Sequence, residues 1–364
     1  MKKKLLPALI VTGLIILVVI IMGITALINK YTPTKKTEDL KEYFNISSDD
    51  EAALIVDNEL SDYKAKIIDK KIYVDYKFVH DSLNSRFYWD ANENVLLYTT
   101  ASDIISAAAD SNSYSVTKQT NDFGYPIVKA TSDSALIALD YVKQYSNITF
   151  KSYDDPARIV ITSKWDEIDS ATVSKSTQVR VKGGIKSPIL KEVKKDDKIT
   201  ILDSGDKWDK VATEDGVIGY IKRKALSESK KTKLTNPDYE EETFTHIKKD
   251  KDICLAWNQV TSQSANSKVP QVISSTKGIN VMSPTWFYLN DNNGNLADIA
   301  SKDYVSYCHS QGIEVWGLFS NLENTDVDAA YVLTHTSTRT TLINQIMSAA
   351  FNYELDGVNI DFEN

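Results

Sequence analysis

The sequence predicts a multidomain chain: an N-terminal transmembrane helix, a duplicated α+β domain, a small all-β barrel and a C-terminal α/β region of parallel strands. Three observations predict it. The stretch from Leu5 to Ile28 carries no charge, two later segments repeat one another, and from Ile253 onward strand-like and helix-like segments alternate in short units.

The net charge of −8 and a hydrophobic share of 42% suit globular material divided among several domains. Basic residues gather only in local runs such as "KRKALSESKK", so no nucleic-acid partner is expected. His80, His246, His309 and His335 are scattered without ligand spacing and read as surface or packing residues, so neither a metal nor a cofactor is expected. Cys254 lies in an apolar run and Cys308 in a helix-like one. A disulfide and two buried thiols both stay open.

The chain opens "MKKKLLPALIVTGLIILVVIIMGITALINKYTPTKK". A cleaved signal has a shorter apolar core and a small-residue cleavage site, whereas this stretch is long enough to span and ends "ALINKYTPTKK". Residues 1–30 are therefore expected as an uncleaved signal-anchor, with 5–28 in the membrane. Lys2, Lys3 and Lys4 favour a cytoplasmic N-terminus, which puts the remaining domains on the extracytoplasmic, cell-wall side. Residues 31–48 read as a polar tether.

Segments 72–100 and 135–163 align without a gap: Phe78 meets Tyr141, Asn84 meets Asn147, Phe87 meets Phe150 and Thr99 meets Thr162. Each reads as a short helix, a strand, a polar turn ("DANEN", "YDDPA") and a closing β-branched strand. The pair resembles the small repeats similar to the N-terminal domain of copper amine oxidases. That resemblance implies a stalk domain over 49–165 and brings no copper ligands.

Residues 170–227 break at "KGG", "KKDD", "DSGDK" and "EDG" into the short strands of a small barrel. The order "VRV", "SPILKEVKKDDKITIL", "WDKVATEDGVIGYIKRKAL" resembles a bacterial SH3-like domain. The resemblance implies a groove at Trp208 and Tyr220 that could bind wall peptides; a buried Trp208 in a small core fits the pattern equally. Residues 228–250, charged and poor in large apolar side chains, read as a linker.

From 251 to 364, "ICLAWNQV", "KGINVMSPTWFYL", "IEVWGLFSN" and "DGVNIDFE" read as strands. "ADIASKDYVSYCHSQG" and "TSTRTTLINQIMSAAFNYEL" read as helices. Parallel strands with crossover helices fit an open doubly wound sheet or a (β/α)8 barrel, and the lack of a Gly-rich phosphate loop disfavours a nucleotide-binding open sheet. The last strand sorts at period two into an acidic face, Asn359, Asp361 and Glu363, and an apolar one, Val358, Ile360 and Phe362. Carboxylates stacked at alternate positions repel, raise one another's pKa and point to proton transfer by Glu363 beside Asp361. Asp356 has the wrong parity for that face unless Gly357 permits a bulge.

"LDGVNIDFEN" resembles the active-site strand of glycoside hydrolase family 18, the family of chitinases and related N-acetylglucosaminidases, at Asp356, Gly357, Asp361 and Glu363. Asn359 departs from its usual Asp, as in the spore-cortex and cell-wall branch. The resemblance implies the first half of a TIM barrel, and the tyrosine and tryptophan of the family's sixth and eighth strands have no counterpart here. The chain is thus expected to be part of a longer protein. The resemblance further implies hydrolysis of β-1,4 linkages next to N-acetylglucosamine in peptidoglycan or a chitin-like glycan, with the substrate's own N-acetyl group as nucleophile. Glu363 would be the acid and base, Asp361 would hold the acetamide, and Asn359 and Asp356 would support Asp361. The alternative is a non-catalytic carbohydrate-binding protein of the same fold.

Overall fold

The computed structural model describes residues 5–363. Lys2, Lys3 and Lys4, on which the expected orientation rests, lie outside the described residues, as does Asn364. The chain is multidomain, with an N-terminal apolar helix and several β-sheets, and divides into two compact units: Met1–Ser85 with Ser134–Glu241, and Arg86–Asp133 with Glu242–Asn364.

In the first unit, helix α1 (Leu5–Tyr31) is long and apolar enough to cross a membrane, a property that signal sequences share. From Ile10 onward none of its membrane-length stretch is buried by protein. Residues 31–48, expected as a tether, are held against protein. Thr37 bridges Ile189 in parallel, and Phe44 is buried in a core with Ile55, Val179, Val211 and Ile221. That core joins the repeat region to the small all-β region. At the same junction Gly216, with φ +84°, faces the side chains of Val160 and Ile55, and a Cβ there would stand 2.8 Å from Val160. Asp215 bridges Arg158 and Lys191; burial works to raise its carboxyl pKa, but Lys191, Thr213 and Arg158 hold it below the usual value.

Both copies of the repeat show the same local order. Strand Lys71–Asp75 leads through a helical turn to hairpin Phe87–Asp90/Val95–Thr99, and strand Ala135–Ala138 leads through helix Leu139–Gln144 to hairpin Thr149–Tyr153/Arg158–Thr162. The two leading strands pair antiparallel. The hairpins part: the second pairs in parallel with Glu51–Val56, while the first continues into a five-stranded antiparallel sheet in the other unit. The all-β region is one antiparallel sheet running from Glu167–Thr172 to Lys230–Lys233, so the first part of the expected linker is an edge strand.

The second unit holds the α/β region. Strands β1 (Leu255–Asn258), β2 (Val281–Leu289), β4 (Glu314–Ser320) and β5 (Gly357–Asp361) are parallel, in the order β1-β2-β4-β5, with the short β3 (Leu296–Asp298) antiparallel on β2. Helix α2 (Lys302–Ser310) precedes β4. Helices α3 (Ala329–Thr334) and α4 (Thr336–Tyr353) precede β5. One face of the sheet is packed against these helices. Phe287 stacks on Phe319 with ring centroids 4.4 Å apart, and the fully buried Trp286 donates to Asn266 at 2.8 Å. Ser301 caps α2 by accepting from the Tyr304 N–H, and Gly312 follows with φ +71°, the left-handed conformation that lets the chain turn out of the helix. Both cysteines are free thiols. Cys254 is exposed, and burial pushes the Cys308 thiol up to about 12.

Candidate functional site

The site forms on the other face of the sheet, toward the C-terminal end of β5. Its register with β4 is regular from Trp316↔Gly357 to Ser320↔Asp361, and Leu318 is opposite Asn359. Side chains therefore alternate without slippage: Gly357, Asn359 and Asp361 are partly covered, while Val358 and Ile360 are exposed on the opposite face. Gly357 permits no bulge. A Cβ there would stand 2.8 Å from the Trp316 ring, so glycine is required by close approach of that indole.

Asn359 donates from Nδ2 to Ser283 Oγ on β2 at 3.1 Å. The bond reaches past the intervening strand β4, although strands two apart in a flat sheet stand roughly 10 Å from each other. It thus brings the two side chains together over one face of the sheet. Ser283 is fully buried, and Asn359 is correspondingly fixed.

Glu363 lies just beyond β5 with its side chain exposed. Its backbone is clipped by Asn321, which accepts from the Glu363 N–H at 2.8 Å and donates to the Glu363 carbonyl at 2.7 Å. The side-chain amide of Asn321 stands in for a strand partner and extends the pairing past Asp361. Ser320, buried opposite Asp361, donates to Glu323. Asp361, Glu363 and Glu323 thus belong to one end of the sheet, with Ser320 and Asn321 among them.

Asp356 is not with them. It precedes β5 at the opposite end, where one carboxylate oxygen accepts from the Val315 N–H and bonds the His309 ring, both at 2.8 Å. The structure gives it a positioning role, fastening the start of β5 to β4 and α2, rather than contact with Asp361. Sequence reading missed Ser283, Asn321 and Glu323. The last two had a signal in "FSNLEN", where polar residues follow an apolar parallel strand, the place where such sheets collect functional groups.

In the all-β region Trp208 and Tyr220 both flank Gly183, where a Cβ would stand 3.2 Å from Trp208 and 3.6 Å from Tyr220. Only Trp208 of the two lines the adjoining cavity of about 510 Å³, together with Ile185, Asp206, Lys207, Lys222, Arg223 and Lys224. Among the described residues no three His, Cys, Asp or Glu side chains are grouped to hold a metal ion.

No family model matches the chain, and no curated protein does. Among solved structures it is similar to the C-terminal domain of a protein assigned as a chitinase from Desulfitobacterium hafniense DCB-2, at 24% identity and a TM-score of 0.27, covering 31% of this chain and 34% of that one. A chitinase from Chromobacterium violaceum is 17% identical with a TM-score of 0.25, over 30% of this chain and 35% of that one. The Bacillus cereus spore cortex-lytic enzyme SleL is 16% identical with a TM-score of 0.27, over 36% and 32%. The chain spans about a third of the length of these structures. At such scores the likeness decides nothing about activity, and the reading below rests on the site's own geometry.

Proposed function

We propose that the protein is a membrane-anchored glycosidase of the family 18 kind, acting on a glycan that contains N-acetylglucosamine, with peptidoglycan as the substrate. One observation carries the reading. Asn359 and Asp361 share the polar face of a parallel strand, Glu363 follows two residues later at the end where parallel sheets place their chemistry, and Asn321 clips its backbone.

In this reading Glu363 protonates the leaving glycosidic oxygen while the substrate's acetamide oxygen attacks the anomeric carbon. Asp361 hydrogen-bonds the acetamide N–H and balances the oxazolinium charge. The Glu363 carboxylate then takes a proton from the water that opens the ring. Asn359, tied to Ser283, orients Asp361. The residues 5–28 anchor keeps the catalytic unit at the cell surface. A non-catalytic carbohydrate-binding protein is the second reading, favoured by the uncharged Asn359 in a row otherwise built of carboxylates.

The test is release of new reducing ends from peptidoglycan and from β-1,4-linked N-acetylglucosamine oligomers by the full-length protein and its Glu363→Gln variant. The expected result is a loss of about a hundredfold or more with sugar binding retained. Equal release by the two proteins overturns the catalytic assignment. Binding without any release by the wild type establishes the second reading.

A further inference from the structure

The end of α1 is fastened to the all-β region without slack. Lys186 donates from Nζ to the carbonyls of Asn29 and Thr32, the latter at 2.7 Å. The Thr34 N–H donates to the Ile185 carbonyl at 2.8 Å, Arg180 donates to the Thr34 carbonyl at 3.2 Å, and Thr37 bridges Ile189. A helix of 27 residues is about 40 Å long, against a hydrocarbon core of about 30 Å, so in a bilayer its ends reach the headgroups. The loop around Lys186 must then lie at headgroup depth as well.

What lies beside that loop is a basic, aromatic-bearing surface. Trp208 packs over Gly183, the Lys222 ammonium stands 5.7 Å from its ring, and Lys207, Arg223 and Lys224 are exposed around the same cavity. Lys182 and Lys186 add charge from the loop itself. Against these stand Asp206, exposed, and Asp209, buried and paired to Arg223 at 3.1 Å. Tryptophan with clustered Lys and Arg, next to the end of an apolar helix, is the composition that settles at a membrane interface and attracts anionic headgroups. A sugar or wall peptide would be served by Tyr220, which lies outside the cavity.

We propose that the Lys207, Trp208, Lys222, Arg223 and Lys224 surface docks on the anionic phosphate headgroups of the bilayer that α1 spans, holding the all-β region flat against the membrane. The inference rests on α1 as a membrane span and is independent of the glycosidase reading.

The test is hydrogen–deuterium exchange of the full chain in nanodiscs of phosphatidylcholine alone and of phosphatidylcholine with phosphatidylglycerol, comparing wild type with the double variant Lys207→Glu/Lys224→Glu. Loops 182–187 and 204–209 should be protected in the anionic discs. That protection should fade in 1 M salt, where screening is within about 3 Å. At roughly fivefold per basic side chain near an anionic surface, the double variant should lose about thirtyfold or more. Unchanged exchange across strand Ile218–Lys222 shows that the variant is folded; a variant that exchanges there too is replaced by Lys207→Gln/Lys224→Gln, with the same expected direction.

Equal protection in both lipids overturns the proposal. Protection by soluble peptidoglycan fragments without any lipid dependence overturns it in favour of wall binding. A chain that washes out of the discs overturns the membrane-span premise and the docking with it, whereas a chain retained but unprotected overturns the docking alone.

Discussion

Replacing Asp90 with Asn tests how the second unit holds its candidate site. Asp90 is buried at 1% exposure in the turn of the Phe87–Asp90/Val95–Thr99 hairpin. One carboxylate oxygen accepts from the N–H groups of Asn92 and Glu93 at 2.9 and 3.2 Å. The other accepts from the Thr336 N–H at 2.6 Å and the Thr336 hydroxyl at 2.5 Å. Glu93 similarly accepts from Ser337, so α4 receives its N-terminal caps from a distant turn. Asparagine keeps the shape and one acceptor but presents N–H to N–H at Thr336. The lost charge-assisted bond costs about 1.5–3 kcal/mol, and the lost charge at the helix N-terminus about 0.3–1 kcal/mol more. A total of about 2–4 kcal/mol is expected, measured by native-state hydrogen exchange over residues 336–342, because a chain of two units lacks a single unfolding free energy. Burial works to raise the Asp90 pKa, but the hydrogen bonds from Thr336, Glu93 and Asn92 hold it below its ordinary value. Its contribution is therefore present above the unfolded value of about 3.9 and lost as pH falls through the lower folded value, a dependence that Asp90→Asn should abolish. A variant within about 0.5 kcal/mol of wild type, the scatter of ordinary surface substitutions, would refute the reasoning.

Three further outcomes are expected. Gly357→Ala drives a methyl into the Trp316 ring and should destabilise by about 1–3 kcal/mol in native-state hydrogen exchange across β4 and β5, with most of the loss recovered in Gly357→Ala/Trp316→Leu; additive effects would place the strain elsewhere. Asn321→Ala removes both bonds from the Glu363 backbone, so amide exchange at Glu363 should rise about tenfold or more and glycan turnover fall with it, and an unchanged amide would show that the clip is not needed. In thiol labelling near neutral pH, Cys254 should react at once and Cys308 only on unfolding, because Cys308 is fully buried and its pKa lies at about 12; labelling of both in the native state would contradict the α2 packing.

The parts of the fold that were legible share one property: their cause is local. The four parallel strands and helices α2 and α4 were readable, though α3 was not, because a sheet packed on one side and a helix capped by Ser301 and Gly312 write their periods into adjacent residues. The alternation of β5 told which side chains share a face for the same reason. What escaped depends on partners far away in sequence. The cap on α4 comes from 246 residues upstream. Phe44, in a polar stretch that reads as a tether, is buried only because strands from two later segments close over it. Asp356 fits the site motif letter by letter, yet its bonds to His309 and Val315 span 47 and 41 residues and place it at the wrong end of the strand for chemistry.

That placement explains why the motif needs both of its ends. A five-residue strand at the end of a sheet order has a backbone partner on one side, β4, and its exposed apolar side chains Val358 and Ile360 contribute little burial. Backbone pairing alone leaves such a strand free to slip, and a slip of one residue would turn Asn359, Asp361 and Glu363 to the wrong face. Three side-chain devices oppose the slip: Asp356, just before β5, ties its start to α2 and β4, Asn359 ties its middle to Ser283, and Asn321 holds Glu363 just past its end. Gly357 fits the Trp316 ring only in this register. The acidic row therefore owes its direction to polar anchors at both ends together with the packing of Phe362 against the core, and substitutions at Asp356 should alter the site through register even though the residue touches none of it.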